Sequence, residues 1–165
     1  MAQLFASETY RFNAAAAKVY SILADYRNHH PHILPRNYFT GLKVLEGGRG
    51  AGTRFQATMR VLGKETDFRM LVTEPQPGRM LAETDMDNDL ITTFTVRPKG
   101  ENRTEVEIAT RWTRKRGLAG QMERLFVPSL LRRIYRQELR QLEEYATGLR
   151  PVAPTQTDNR QLVVG

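Results

Sequence analysis

Cysteine and long hydrophobic runs are both missing from this chain. None of its 165 residues is cysteine, which excludes disulfides, thiolate metal ligands and a cysteine nucleophile, and is typical of a reducing compartment. No apolar run approaches the roughly 18 residues that cross a bilayer. The N-terminus also lacks the basic and apolar segments of a secretory signal peptide. These absences predict a cytoplasmic protein without a transmembrane segment.

Histidine is scarce as well, and all its copies, His29, His30 and His32, fall close together. Imidazoles bind zinc, but a zinc site needs further ligands of suitable geometry. Only Asp25 stands nearby, in a chain without cysteine or a distant histidine. We therefore expect no metal and no cofactor.

Two short sequences resemble motifs for nucleotide and calcium binding but lack residues that those motifs require. Residues 47–53 are rich in glycine, but Thr53 is not preceded by lysine, and a strand follows where a phosphate loop would begin a helix. The acidic run that starts at Asp85 has Leu90 where a calcium loop requires glycine. The chain also lacks a Gly-x-Ser-x-Gly sequence, so serine hydrolase chemistry has no support.

Composition is that of one globular domain with a local excess of positive charge. Hydrophobic residues make up 40% and charged residues 26% of the chain, and the length favours a single domain. The net charge is +7, and residues 111–150, with ten basic and four acidic residues, hold most of it. We interpret this excess as a solvated helix face and expect no nucleic-acid partner.

The first 35 residues predict one strand and a helical region. Residues 5–12 contain aromatic and β-branched residues in partial alternation, which predicts a strand. Asn13, a favoured N-cap, precedes apolar residues at helical spacing over 14–24. Pro31 and Pro35 then restrict any second helix to a short one.

Beyond residue 37, the spacing between apolar residues changes from about four residues, typical of a helix, to two, typical of a strand. Short turns rich in Gly, Pro and Asn separate the strand-like runs, and such turns join antiparallel neighbours. The runs are residues 38–46, 53–62, 66–74, 79–85, 90–97 and 103–112. Six consecutive strands therefore form a meander.

Alternation places one apolar and one polar side on this sheet. The apolar side includes Phe55, Ala57, Met59, Val61, Phe68, Met70, Val72, Leu90, Thr92, Phe94, Val96, Val106, Ile108, Thr110 and Trp112. Such a side must be covered by another element of the fold.

The covering element is a long helix predicted over residues 117–145. Its apolar residues form two groups that differ by roughly half a turn along one straight helix. The first group is Leu118, Met122, Leu125 and Phe126, and the second is Leu130, Leu131, Ile134, Tyr135, Leu139, Leu142 and Tyr145. Pro128 lies between them, so a kink or a short break there would bring both groups to the same side.

Four arginines, Arg132, Arg133, Arg136 and Arg140, fall opposite the second apolar group. We call them the arginine stripe, and their position is that of a solvated face. Gly148 is expected to end the helix. The domain is therefore assigned to residues 1–148, and residues 149–165, which show no periodicity, are expected to be disordered.

Several short sequences carry a resemblance to a known family. They are Asn13 to Tyr20 at the first helix, Leu23 to Tyr26 at its end, Gly50 to Thr53 in the first hairpin, and Glu74-Pro75 with Pro77-Gly78-Arg79 in a later one. With the order of elements, they make the chain similar to the polyketide cyclase/dehydrase and lipid-transport (SRPBCC) superfamily, which includes START and birch-pollen-allergen-like proteins. The resemblance implies the α+β helix-grip fold, in which a curved antiparallel sheet of about seven strands wraps around a long C-terminal helix and two short helices follow the first strand.

The resemblance also implies an apolar cavity that holds a lipid, a polyketide, an isoprenoid-like compound or another hydrophobic molecule. Aromatic residues and flexible methionines on the covered sides predict its walls. The candidate ligand-binding residues are Phe55, Met59, Phe68, Met70, Phe94, Ile108, Trp112, Met122 and Phe126. We place its entrance between the 47–52 hairpin, the segment from His29 to Pro35 and the start of the last helix.

Three functions remain open from the sequence. The leading hypothesis is a protein, monomeric or homodimeric, that binds or carries a small hydrophobic ligand. The second is a cyclase- or aromatase-like enzyme with an acid or base drawn from His30, Thr110 or Ser129; Thr92 is a further inward polar residue. The third is an interaction module whose arginine stripe contacts anionic lipid, as a peripheral membrane contact, or an acidic partner.

Overall fold

Residues 2–148 are described by a computed structural model that contains one sheet and three helices. The predicted tail lies outside the described residues. The strands are β1 (Gln3–Phe12), β2 (Phe39–Glu46), β3 (Arg54–Val61), β4 (Lys64–Gln76), β5 (Met80–Asp85), β6 (Leu90–Gly100) and β7 (Arg103–Thr113), and the helices are α1 (Ala16–Ala24), α2 (His30–Ile33) and α3 (Gly117–Thr147).

The sheet is an antiparallel meander, and the first strand pairs with its last strand at one edge. Its order is β1-β7-β6-β5-β4-β3-β2, and every neighbouring pair is antiparallel. Strands β2 to β7 therefore follow one another in space as they do in sequence, which confirms the predicted meander. The sheet and α3 together form the predicted α+β helix-grip fold.

Burial along the strands follows the predicted alternation. On β7, Val106, Ile108, Thr110 and Trp112 are buried, whereas Arg111 on the opposite side is exposed. A period of two places alternate side chains on opposite sides of a pleated strand. The covered side of the sheet is therefore the one that the sequence predicts.

Helix α3 is one uninterrupted helix from Gly117 to Thr147 with Pro128 inside it. The short break considered at Pro128 is therefore wrong. The helix ends as predicted, because Gly148 adopts a left-handed φ of 73° and its N–H bonds to the carbonyls of Glu144 and Tyr145. None of the helices in residues 2–148 has the length and apolar character needed to cross a membrane.

The start of α1 differs from the prediction. The helix begins at Ala16, and Ala15 occupies the N-cap position without a side-chain hydrogen bond. Thr104 on β7 donates a hydrogen bond of 2.5 Å to the carbonyl of Ala14. The predicted cap at Asn13 is thus wrong, since a contact with the sheet holds this segment in place of a local cap.

Side chains fill one end of the space between the sheet and the helices. Val19 and Leu23 of α1, Val106 of β7, and Leu139 and Leu142 of α3 are almost completely buried in a common core. Tight packing at this end anchors the second half of α3 on the sheet. The other end is not filled, and it contains the candidate site.

Candidate functional site

A cavity of about 120 Å³ lies between the covered side of the sheet and the middle of α3. Its lining is mostly apolar, with a few polar side chains. The lining residues are His30, Leu34, Phe39, Leu42, Phe55, Ala57, Met59, Phe68, Met70, Glu83, Leu90, Thr92, Phe94, Thr110, Leu131, Ile134, Tyr135 and Glu138. An apolar wall with a few fixed polar groups is typical of small-molecule sites.

The cavity opens at the end of the sheet that carries the β3–β4 turn. Phe39, Met59, Phe68 and Leu90 lie near this end and are half-buried, as is Leu131 on the facing part of α3. By contrast, the lining on β7 and on the later part of β6 is buried. The opening therefore lies between that end of the sheet and the middle of α3.

The predicted entrance agrees with this position only in part. The segment from His29 to Pro35 contributes His30 and Leu34 to the lining, but residues 47–52 and the start of α3 contribute none. Instead, the 47–52 connection is fastened at the other end of the sheet. Gly50, with a φ of 61°, donates to the carbonyl of Ala24, and an added Cβ would lie 2.6 Å from the Glu74 carboxylate.

Five of the predicted wall residues line the cavity, and all of them lie on strands: Phe55, Met59, Phe68, Met70 and Phe94. Ile108 and Trp112 are buried but lie outside its lining. The indole N–H of Trp112 donates to Glu123 of α3, with 2.8 Å between the two heavy atoms.

Met122 and Phe126 do not form part of the wall. Their side chains are 50% and 61% exposed, respectively. Because α3 passes Pro128 without a break, its two apolar groups stay on different sides of the helix, and only the second packs on the sheet. Leu131, Ile134 and Tyr135 of that second group take the places predicted for Met122 and Phe126.

The candidate acid–base residues are also divided by the structure. His30 and Thr110 line the cavity, whereas Ser129 is exposed on α3. Ser129 follows Pro128 directly, and the continuous helix leaves its side chain on the exposed side of α3. His29 and His32 lie outside the lining, where Nδ1 of His29 is 2.8 Å from the Tyr145 hydroxyl and the His32 ring stacks on Tyr145.

A group of hydroxyls occupies the wall formed by β6, β7 and α3. Thr92 and Thr110 are hydrogen-bonded with 2.7 Å between their Oγ1 atoms, and Thr110 is also hydrogen-bonded to the Tyr135 hydroxyl. Three hydroxyls joined by two hydrogen bonds leave one hydroxyl hydrogen for another acceptor. Burial raises the pKa of Tyr135, so its phenol stays protonated.

Glu83 of β5 is at the centre of a second polar group. The Tyr26 hydroxyl donates to its Oε1 atom at 2.7 Å, and Nε2 of His30 lies 3.9 Å from the same oxygen. The Tyr26 ring stacks on His30 and Phe55, with centroid distances of 4.5 and 4.9 Å. Burial raises the pKa of Glu83 to about 7, although the Tyr26 hydrogen bond opposes this. The carboxyl is therefore able to gain or lose a proton near neutral pH.

His30 is held in one tautomer. Its Nδ1 atom lies 2.7 Å from the carbonyl oxygen of Leu23. A carbonyl only accepts hydrogen bonds, so Nδ1 carries the proton and Nε2 of the neutral ring is an acceptor. Burial lowers the pKa of His30 to about 4, so the ring is neutral at pH 7.

Glu138 brings a second carboxyl into the cavity from α3. The residue is 3% exposed, and its Oε1 atom has no hydrogen-bond partner among the described residues. Burial, and secondarily the charge of Glu83, raise its pKa well above the usual range. The described part of the chain contains no group of three or more acidic or histidine side chains able to hold a metal ion.

Glu83 and Glu138 are not among the predicted site residues, although the sequence contains a signal for both. Glu83 alternates with the buried Leu81, so the period of two places it on the covered side of β5. Glu138 lies four residues from both Ile134 and Leu142, which places it on the apolar side of α3. In each case the acidic residue type favoured solvent, while the spacing indicated burial.

A family model described as polyketide cyclase / dehydrase and lipid transport matches residues 5–147. The chain belongs to this family. No match was found among curated proteins. The family assignment confirms the resemblance found in the sequence.

Several solved structures share the fold of this family member. The KanY protein is 32% identical, with a TM-score of 0.77 over 90% of this chain and 100% of its own. A START superfamily protein from Mycobacterium smegmatis is 20% identical, with a TM-score of 0.70 over 88% of this chain and 99% of its own. The Zhui aromatase/cyclase from Streptomyces sp. R1128 is 16% identical, with a TM-score of 0.73 over 88% and 94%. At these identities the last two indicate a common fold.

Proposed function

We propose that the protein binds a small, largely apolar ligand in the cavity between the sheet and α3. The observation that carries the proposal is the cavity itself, whose walls are aromatic and aliphatic and whose polar groups are few and fixed. An engineered protein cavity of roughly 150 Å³ binds benzene, so a space of about 120 Å³ with an open end suits a ligand built on a single ring. The description of the family, which includes lipid transport and polyketide chemistry, agrees with an apolar ligand.

Filling the cavity tests this proposal. Ala57 is buried and lines the cavity from β3, so Ala57→Leu places three more carbon atoms in the ligand's space. We expect benzyl alcohol to bind the wild type and to raise its unfolding temperature. The variant should bind it at least about tenfold more weakly, because the ring loses its apolar contacts. Isothermal titration calorimetry measures both affinities.

Ala109→Leu is the matched control for this experiment. Ala109 lies on β7 next to Thr110 but on the opposite side of the sheet, outside the cavity lining. This variant should bind benzyl alcohol as the wild type does. Equal binding by the wild type and Ala57→Leu would show that the ligand lies elsewhere.

A second candidate function is acid–base catalysis of the cyclase or dehydrase type. The favouring observation is Glu83, an ionisable carboxyl with a pKa of about 7 that lies inside an apolar cavity between the Tyr26 hydroxyl and His30. Perturbed carboxyls of this kind are suited to proton transfer at neutral pH.

The arginine stripe is exposed on α3, and its proposed contact with an acidic partner or anionic lipid remains a prediction.

Turnover of a short β-ketoacyl thioester tests the catalytic candidate. If Glu83 transfers the proton, Glu83→Gln should lower kcat by at least about a hundredfold, since an amide does not titrate. The exposed Glu101→Gln should keep the wild-type rate. Product formation measured by mass spectrometry at an unchanged rate in Glu83→Gln would exclude this role.

A further inference from the structure

The buried carboxyl of Glu138 points to the chemistry of the ligand. It lines the cavity from α3, and its Oε1 atom has no partner within residues 2–148. Nearly all buried polar atoms in folded proteins are hydrogen-bonded, because removing one from water without a partner is unfavourable. A polar atom buried in this way indicates a ligand that supplies the missing hydrogen bond.

The neighbouring polar groups do not supply that hydrogen bond. The Tyr26 hydroxyl donates to Glu83, and the one N–H of neutral His30 donates to the carbonyl of Leu23. What these groups offer a ligand is acceptors: the second oxygen of Glu83 and Nε2 of His30. A ligand that brings donors is therefore matched to Glu83 and His30, while the hydroxyls of Thr92, Thr110 and Tyr135 leave one hydrogen for an acceptor on the same ligand.

The charges of the cavity lining favour a cationic donor over a neutral one. Two carboxyls, Glu83 and Glu138, line the cavity, and its lining includes no lysine or arginine. Ionising Glu138 is opposed by burial and by the charge of Glu83, and a cation bound at the carboxylate offsets both effects. A hydroxyl donor does not compensate the charge of a carboxylate, so Glu138 keeps its proton when a neutral ligand binds.

The apolar walls complete the ligand's description. Phe55, Phe94 and Met70 give the cavity flat and adaptable apolar surfaces, which suit a ring. Building on the proposed function, we propose that the cavity selects small ring compounds that carry a protonated amine, and that the Glu138 carboxylate binds the ammonium group.

Binding of an ammonium ion at Glu138 has a defined proton balance. The raised pKa of Glu138 favours the protonated carboxyl in the free protein. When the ammonium ion binds, this proton passes to solvent and an ammonium–carboxylate pair forms. Four ionisable groups surround the site: Glu83 from β5, His30 from α2, Tyr26 after α1 and Tyr135 from α3. The two tyrosines keep their protons and His30 is neutral above pH 5. Glu83 ionises near pH 7, which further favours a cation.

Benzylamine and benzyl alcohol test the proposal because they have nearly the same shape and differ in charge. Titration calorimetry on the full chain between pH 5 and 8, in buffers of different ionisation enthalpy, gives both the affinity and the number of protons released. We expect benzylamine to bind at least about tenfold more tightly than the alcohol at pH 7. Its affinity should increase with pH and its binding should release about one proton, whereas the alcohol should show neither effect.

Two substitutions on α3 test whether Glu138 is the residue that binds the ammonium group. Glu138→Gln keeps the size of the side chain but removes its charge, so it should weaken benzylamine binding by about tenfold or more and change the affinity for benzyl alcohol by less than about threefold. Glu143→Gln, the same substitution on the same helix but outside the cavity lining, should bind both compounds as the wild type does. The wild-type comparison and the proton count need no variant, so they test the proposal even if Glu138→Gln does not fold.

The outcomes separate this inference from the proposed function. If the two compounds bind the wild type equally and without proton release, the amine selectivity is wrong and the apolar cavity function stands. If benzylamine binds more tightly but Glu138→Gln does not weaken it, Glu138 is not the ammonium site and the inference fails. If neither compound binds, both the inference and the proposed function fail.

Discussion

Leu139→Ala should lower the free energy of unfolding by about 2–5 kcal/mol. Leu139 is 1% exposed and lies on the part of α3 that packs in the filled core. Removing three carbon atoms there loses their burial and leaves a hole that neighbouring side chains close only in part. Chemical denaturation monitored by circular dichroism measures the change.

The matched control lies on the same helix. Leu125 is 67% exposed, so Leu125→Ala removes little buried surface and should change the free energy of unfolding by less than about 0.5 kcal/mol. The contrast tests the orientation of α3 directly. A loss of 2 kcal/mol or more in Leu125→Ala would mean that the first apolar group packs on the sheet in solution, as the sequence analysis expected.

The sheet was predictable because its signals are local. Each strand has a period of two, and each turn contains Gly, Pro or Asn, so both the order of the strands and their covered side follow from short stretches of sequence. Trp112, Phe94 and Met70 are buried where alternation places them. The five predicted wall residues that line the cavity all come from this sheet.

The orientation of α3 was not predictable from the same kind of local pattern. Its two apolar groups require different sides of one helix to face the sheet, and only long-range packing determines which of them does so. Ile134, Leu139 and Leu142 are buried together, whereas Met122 and Phe126 remain exposed. The sequence analysis allowed a kink or a short break at Pro128, but a proline inside a helix does not require a break, and the helix continues through it.

The polar part of the site was missed for another reason. Glu83 and Glu138 occupy positions whose spacing predicts burial, but charged residues are rarely buried without a partner, so their residue type predicts exposure instead. Buried acids in an otherwise apolar wall depart from the pattern that stabilises a fold. Such departures are expected at functional sites, so conflicts between residue type and spacing would have indicated both residues.

Glu83 should make the stability of the protein depend on pH. Burial raises its pKa from an ordinary 4.5 to about 7, so between these values the folded state holds a proton that the unfolded state has released. The stabilisation is fully present below pH 4.5 and is lost as the pH rises to 7; it amounts to roughly 3 kcal/mol. His30 acts in the opposite direction, because its pKa falls from 6.5 to about 4 and its effect on stability is lost as the pH falls through this range.

Comparison with Glu83→Gln separates these contributions. Glutamine keeps an acceptor for the Tyr26 hydroxyl but does not titrate, while His30 and Glu138 are present in both proteins and their direct effects cancel in the difference. Relative to the wild type, the variant should therefore gain roughly 3 kcal/mol of stability between pH 4 and pH 8. Urea denaturation at several pH values gives the difference, with the exposed Glu101→Gln as the control that should show no such gain. A constant difference between Glu83→Gln and the wild type would mean that Glu83 is solvated in the native state, and the acid–base role proposed for it would lose its physical basis.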